Sequence, residues 1–347
     1  MAKAVTLSDI GKKLNVSTVT VSKALSGQKG VSDELRAEIV NLADKMGYVR
    51  KVSNLEEEGR KSYNIGVIVA ERYLKESQSF YWKIYQEISQ RAMGKNCFTI
   101  LEVVTLEAEK ECHKPILLEE KKVDGVVVIG TFRYQYIDRL TSVPSVPAVF
   151  LDTTVGAEDG DFVVSNNLLG GYLMTNYLFE MGHRKIGFVG TRLATPSIDD
   201  RFLGYYKSLM EHGVSLDETW VVDDREREFG FVDYQSKFVL PENMPTAFFC
   251  NCDLTAGYMI RKLEEAGFRV PEDVSVAGYD NYANEQLTRI GITTYEINTK
   301  EMAKRALHIL INKMNNSLYS TGVFMISGRF VERDSVKRIG SKIPALI

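Results

Sequence analysis

Thr131, Asp152, Thr191, Cys252, Asp253 and Asp280 share one property: each stands just past a short apolar run. Ser79-Phe80-Tyr81-Trp82, after another such run, is a dense aromatic cluster. Carboxylates and hydroxyls exchange hydrogen bonds with polyol hydroxyls, and flat aromatic faces suit a sugar ring. These types point to reversible binding of a sugar. Each has a plainer reading too. Asp280 can cap a turn, Arg201 can make a surface ion pair beside Asp199 and Asp200, and Trp82 can be core or subunit interface.

Chemistry that breaks bonds finds little support. His113, His183, His212 and His308 are scattered without metal spacing. Cys250 and Cys252 are too close for an ordinary zinc pair and have no second pair. Gly-x-Gly-x-x-Gly, the phosphate-loop pattern and Gly-x-Ser-x-Gly are absent. No enzyme activity, metal or cofactor is expected.

The runs themselves are Ile65–Ala70, Val126–Ile129, Ala148–Leu151, Ile186–Val189, Ala247–Cys250 and Val274–Ala277. They are rich in Val, Ile and Phe and mostly lack alternation, which suits parallel strands covered on both faces. Helical patterns at Tyr85–Met93, Gly170–Met181 and Ala256–Ala266 lie between them, so doubly wound α/β units are expected. Asn64-Ile65-Gly66-Val67-Ile68-Val69 and Lys185-Ile186-Gly187-Phe188-Val189-Gly190 read as one first strand used twice. Two similar subdomains leave a cleft, and ligands of open α/β sheets sit beyond the carboxyl ends of the strands.

The first fifty residues are different. Thr6 can cap a helix with Asp9 as its acidic partner, and Leu7, Ile10 and Leu14 share one face. Asn15 tolerates the left-handed backbone of a tight turn. Ser17 can cap a second helix, Thr18 to Leu25, whose inner face is Val21, Ala24 and Leu25. Its other face shows Thr18, Val19, Ser22 and Lys23. Ser32 starts a third helix lined by Leu35, Ile39, Leu42, Ala43 and Met46. Such a helix-turn-helix lays its second helix in the major groove, where methyls meet thymine and a lysine reaches guanine or phosphate.

At this point the residues resemble a family. Thr6-Leu7-x-Asp9-Ile10, Val16-Ser17, Thr20-Val21-Ser22, Val31-Ser32 and Gly47-Tyr48 resemble the headpiece of the lactose/galactose-repressor (LacI/GalR) family of bacterial transcriptional regulators. Further matching segments are Ser165-Asn166-Asn167, Gly182-His183-Arg184-Lys185, Asp200-Arg201-Phe202, Val270-Pro271-Glu272-Asp273 and Gly278-Tyr279-Asp280-Asn281. The resemblance implies an all-α headpiece followed by an α/β body of two doubly wound subdomains, like the type I periplasmic sugar-binding proteins. It implies a headpiece at 1–49, a hinge linker at 50–62, a first subdomain at 63–163 plus 292–323, and a second at 164–291 plus 324–340. By resemblance, Thr18, Val19, Ser22 and Lys23 face base edges, and Thr6, Ser17, Thr20 and Lys29 touch phosphates. In the body, Arg201 and Asp280 hold the effector's polar groups, with Ser197, Asp152 and Phe80. Trp82, Thr131 and Cys252 complete the expected site.

The family's linker folds on DNA into a hinge helix that wedges a leucine into the minor groove, unstacking a step. Here the only leucine is Leu55, beside Glu56, Glu57 and Glu58. Leu55 is the wedge candidate; a solvated acidic linker is the other reading.

Charge supports the division. The whole chain of 347 residues carries −3, yet residues 1–61 hold 11 Lys/Arg and 8 Asp/Glu, a balance of +3 against −6 for the rest. No apolar run approaches the ~20 residues of a membrane helix, and the N-terminus lacks a secretory pattern. The expectation is a cytoplasmic, homodimeric, DNA-binding repressor controlled by a mono- or oligosaccharide. Alternatives are a purine or a phosphorylated partner protein as the controlling ligand, or a sugar-binding transport protein.

Overall fold

The computed structural model describes residues 6–25, 30–46, 62–74, 79–141, 146–156, 160–228, 230–282, 288–316 and 321–340. The chain divides into two units, 1–61 and 62–347.

In the first unit, α1 (Leu7–Leu14), α2 (Thr18–Leu25) and α3 (Asp33–Lys45) enclose Ile10, Val21, Ala24, Ile39 and Ala43. Thr6 and Asp9 form a reciprocal capping box, and Asn15 ends α1 in the left-handed conformation (φ 53°). A Cβ on Gly11 would lie 2.8 Å from the Val16 carbonyl oxygen, so the α1–α2 turn closes onto bare backbone. The Ser17 hydroxyl accepts from the Thr20 amide (3.0 Å) and caps α2. Arg36 on α3 donates to the Ala24 (2.9 Å) and Lys23 (3.2 Å) carbonyls, satisfying acceptors that the end of α2 leaves open.

The second unit runs β1 (Asn64–Ala70), α4 (Phe80–Met93), β2 (Phe98–Val104), α5 (Leu106–Lys110), α6 (Ile116–Glu119), β3 (Gly125–Ile129), α7 (Tyr134–Thr141), β4 (Ala148–Leu151) and β5 (Asp161–Ser165). It continues α8 (Asn167–Glu180), β6 (Ile186–Val189), α9 (Pro196–Glu211), β7 (Val221–Val222), β8 (Ala247–Cys250), α10 (Asp253–Glu265), β9 (Ser275–Ala277), β10 (Thr294–Glu296), α11 (Thr299–Met314), β11 (Gly322–Ile326) and β12 (Arg329–Val331). A six-stranded parallel sheet has the order β11-β5-β4-β3-β1-β2, and a four-stranded one β7-β6-β8-β9. β10 and β12 pair antiparallel as a separate ribbon.

The expected strands and helices are present, and the fold is the anticipated one: a helix-turn-helix unit and an α/β body of parallel sheets. Central strands β1, β3 and β8 are buried along nearly their whole length, which is why they read as continuous apolar runs. The boundaries expected at 163/164 and 323/324 fall inside β5 and β11, and both strands lie wholly in the six-stranded sheet.

Helices α8 and α9 pack unusually closely. A Cβ on Gly171 would come 2.4 Å from the Arg201 carbonyl oxygen, and one on Gly204 2.2 Å from that of Leu168. These glycines let α9 press its backbone against α8, and α9 carries Arg201.

Candidate functional site

A cavity of about 290 Å³ opens where the carboxyl ends of the two sheets face each other. Phe80, Asp152, Ser197, Arg201, Cys252 and Asp280 line it, six of the eight residues expected there. Thr131 and Trp82 do not. The Thr131 carbonyl instead accepts from Arg72 and from the Tyr73 hydroxyl (3.0 Å), holding two lining residues from behind. Trp82 is half-buried on α4 with its ring edge-on to Tyr85, 5.7 Å away. Trp82 is two residues from Phe80, about 200° round α4, which turns its side chain off the cavity wall.

Both carboxylates sit on left-handed backbone, φ 63° at Asp152 and 91° at Asp280. Their amides are pinned to neighbouring strands, Asp152 to the Val163 carbonyl (2.9 Å) and Asp280 to that of Tyr295 (2.8 Å). Backbone of this kind costs of order 1–3 kcal/mol and clusters at ligand-binding positions. One oxygen of Asp152 accepts from the Tyr81 hydroxyl at 3.0 Å, while the other is buried without a protein partner among the described residues.

Arg201 lies across Tyr279, its guanidinium carbon 4.0 Å from the ring centre. Its Nε donates to the Asn167 side chain (2.9 Å) and its Nη1 to the Asn251 carbonyl (2.7 Å). Burial raises both carboxyls above their usual range, Asp280 to about 7, and the Arg201 charge opposes the rise in each. Behind Asp280, Asp253 is buried, also held well above the carboxylate range by burial and by Asp280. The Tyr282 amide donates to both, at 2.9 Å to Asp280 and 3.1 Å to Asp253.

Cys252 caps α10 through its sulfur, which accepts from the Thr255 amide (3.5 Å). Burial lifts the thiol to about 11, so at neutral pH it is an uncharged wall group.

Several lining residues escaped sequence reasoning: Arg72, Tyr73, Arg225, Asn251 and Tyr282, while Tyr81 was read only as part of the aromatic cluster. Arg72-Tyr73 follow β1 almost directly and were legible by position. Arg225 was not, because it follows a strand of two residues. Arg225 and Val232 are joined by an antiparallel bridge, and Gly230, Phe231 and Val232 form one wall of the cavity. Glu228 in this turn pairs with Arg133 of the opposite half at 3.3 Å.

In the first unit, Thr18, Val19, Ser22 and Lys23 are all exposed on one face of α2, with Val19 61% accessible. Thr6 and Ser17 are exposed at the caps, and the Thr20 hydroxyl lies 2.8 Å from that of Ser17. Lys29 and Leu55 lie outside the described residues.

Comparison with known proteins matches each unit separately. Residues 6–51 match bacterial regulatory proteins of the lacI family, and residues 175–336 match the periplasmic binding protein-like domain. The HTH-type transcriptional repressor PurR of Mannheimia succiniciproducens is 27% identical over 336 residues, 96% of this chain and 99% of that protein. PurR of Klebsiella pneumoniae strain 342 is 27% identical over 95% of this chain and 96% of its own length. The transcriptional regulator CelR in complex with cellobiose shares the fold at a TM-score of 0.69 and 23% identity, over 95% of this chain and 99% of that one. The lac repressor dimer bound to operator and the anti-inducer ONPF does so at 0.65 and 21%, over 96% and 100%. No helix among the described residues is long and apolar enough to cross a membrane. With a lacI-type helix-turn-helix at its N-terminus, a periplasmic-binding-protein-like effector domain behind it and repressors along its whole length as relatives, this chain belongs to the lacI family of DNA-binding transcriptional repressors.

Proposed function

We propose that this repressor is cytoplasmic and homodimeric, and that a sugar bound in the cavity controls its affinity for a pseudo-palindromic operator. The observation that carries the sugar is the convergence of Arg201, Asp152 and Asp280 on one small cavity, with an unpartnered carboxylate oxygen among them. Such a group calls for a donor, and a sugar hydroxyl supplies one. Phe80 and Tyr81 add aromatic surface. Effector binding shifts operator affinity only by its preference between two states, typically ~1–3 kcal/mol.

At the headpiece, Thr18, Val19, Ser22 and Lys23 read base edges, while Thr6, Ser17, Thr20 and Lys29 contact phosphates. Leu55 is the hinge residue offered to the minor groove.

A purine is the second reading, favoured by the PurR relatives. A thermal-shift screen with monosaccharides, disaccharides, hypoxanthine and guanine separates the two, because a ligand of the native state raises the melting temperature. Stabilisation by a sugar supports the first; stabilisation by a nucleobase alone overturns it.

A further inference from the structure

The cavity has two electrostatically distinct poles. At one, Asp152 and Asp280 are both acted on by Arg201. At the other are Arg72 from the first sheet's side and Arg225 from the second's, beside the Tyr73 hydroxyl. Tyr73 is fixed by hydrogen bonds with the Thr131 carbonyl (3.0 Å) and amide (3.2 Å).

Both arginines at this second pole are tightly anchored. Arg72 is paired with Glu109, whose carboxylate is buried and also accepts the Arg133 amide at 2.8 Å. Arg225 grips Asp224 with Nε (3.0 Å) and Nη2 (2.6 Å), and Nη2 also donates to the Asn251 side chain (3.2 Å). Burial works against an ionised Asp224, yet Arg225 and the bonds from Asn251 and Thr191 hold it down at about 2. Glu109 and Asp224 do not line the cavity, whereas the two guanidinium groups do. Nη1 of Arg225 and Nη2 of Arg201 have no protein acceptor among the described residues.

A neutral sugar offers the second pole hydroxyl acceptors alone, with no charge to match two guanidinium groups. Two anchored guanidinium groups from opposite walls suit a carboxylate or a phosphate, for which arginine is the preferred partner. At about 290 Å³ the cavity is at the bottom of the ~300–1,000 Å³ range of ligand pockets, which suits a ligand of monosaccharide size. We propose that the effector is an anionic monosaccharide, with its hydroxyls at Arg201, Asp152 and Asp280 and its acidic group between Arg72 and Arg225. This inference rests on the sugar reading given above.

The test is calorimetry and thermal shift on the full chain. The probes are D-glucuronate, D-galacturonate, D-gluconate and D-glucose 6-phosphate, with D-glucose and D-galactose as neutral counterparts and hypoxanthine as the outsider. The expected result is that at least one anionic probe binds ten or more times tighter than its neutral counterpart; the phosphate ester tells carboxylate from phosphate. In Arg225→Gln that ratio falls to near one. Because this change strips Asp224 of its partner, the paired Asp224→Asn/Arg225→Gln variant is measured beside it, with the same loss expected. Neutral sugars binding as tightly as the acids overturn the anionic inference and leave the sugar reading standing. Binding of hypoxanthine alone overturns both, and a ratio unchanged in both variants removes Arg225 from the site. No response to any anionic probe also overturns the inference.

Discussion

The Tyr81 hydroxyl donates to Asp152 at 3.0 Å and thereby fixes which oxygen of that carboxylate remains for a ligand. The other oxygen is buried and unpartnered among the described residues, on a residue whose backbone is left-handed. Burial pushes Asp152 toward its neutral form, while Tyr81 and Arg201 favour the charged one. Tyr81 therefore holds one oxygen of Asp152 and leaves the other open to a further donor.

In Tyr81→Phe the donor is lost and the ring is kept. A buried group stripped of its hydrogen bond costs ~1–3 kcal/mol. The expected result is a melting temperature lowered by several degrees and effector affinity weakened about tenfold or more. Operator binding without effector should be unchanged in gel-shift titrations. If calorimetry finds wild-type effector affinity, Tyr81 does not orient Asp152.

Asp280→Asn keeps the shape of the side chain and removes its charge. Arg201 then loses one of the two carboxylates facing it. Loss of the effector's influence on operator affinity is expected, with effector-free operator binding retained. An effector response of normal size would place the ligand elsewhere.

Gly171→Ala acts through Arg201 without touching the cavity. The added Cβ would meet the Arg201 carbonyl oxygen at 2.4 Å and its Cα at 2.9 Å, backbone that no side-chain rotation relieves. Overpacking of this kind costs ~1–3 kcal/mol or more. Denaturant melts should show that loss, and the shifted α9 should weaken effector binding as well. A stable variant with normal effector affinity would show that α8 and α9 can separate without moving Arg201.

Much of this was written in local sequence. The capping box at Thr6 and Asp9, the left-handed Asn15 and the caps at Ser17 and Ser32 depend on residues three or four apart. Asp152, Arg201 and Asp280 line the cavity as expected from their places after strands or in family segments. Thr131 was misplaced because the end of a strand says nothing about which neighbour fills the space in front of it; Arg72 and Tyr73 do. Arg225 stayed hidden because β7 is two residues long and its position depends on pairing with β6. The close approach of α8 and α9 has no local signature beyond Gly171 and Gly204, which read equally as turn residues.

Stability should fall on mild acidification through His183. Its Nε2 is 3.1 Å from the Lys337 carbonyl and its Nδ1 2.9 Å from the Thr246 hydroxyl, tying the turn before β6 to the C-terminal segment. Burial lowers it from 6.5 to about 4, with the Lys337 contact pulling slightly the other way. The unfolded chain takes up this proton below pH 6.5 and the folded chain only near 4. The contribution is thus complete above pH 6.5 and is lost as pH falls toward 4. His183→Gln should flatten that part of the melting-temperature profile relative to wild type. Equal slopes in both proteins would mean that other groups set it.

At the headpiece, Lys23 distinguishes base reading from phosphate contact. It shares the exposed face of α2 with Val19, whose 61% accessibility leaves a branched apolar group in water unless a partner covers it. A thymine methyl is such a partner. Lys23→Ala is measured on an operator selected in vitro from random duplexes. If Lys23 reads a base edge, affinity should fall by ~1–3 kcal/mol and preference should relax at one base pair of each half-site. A phosphate contact would weaken binding evenly across sequences and reduce the salt slope by about one. The geometry of α2 favours the first outcome, since Lys23 is one residue from Ser22 and four from Val19 on the same face. Unchanged affinity, preference and salt slope would mean that this face of α2 does not enter the groove.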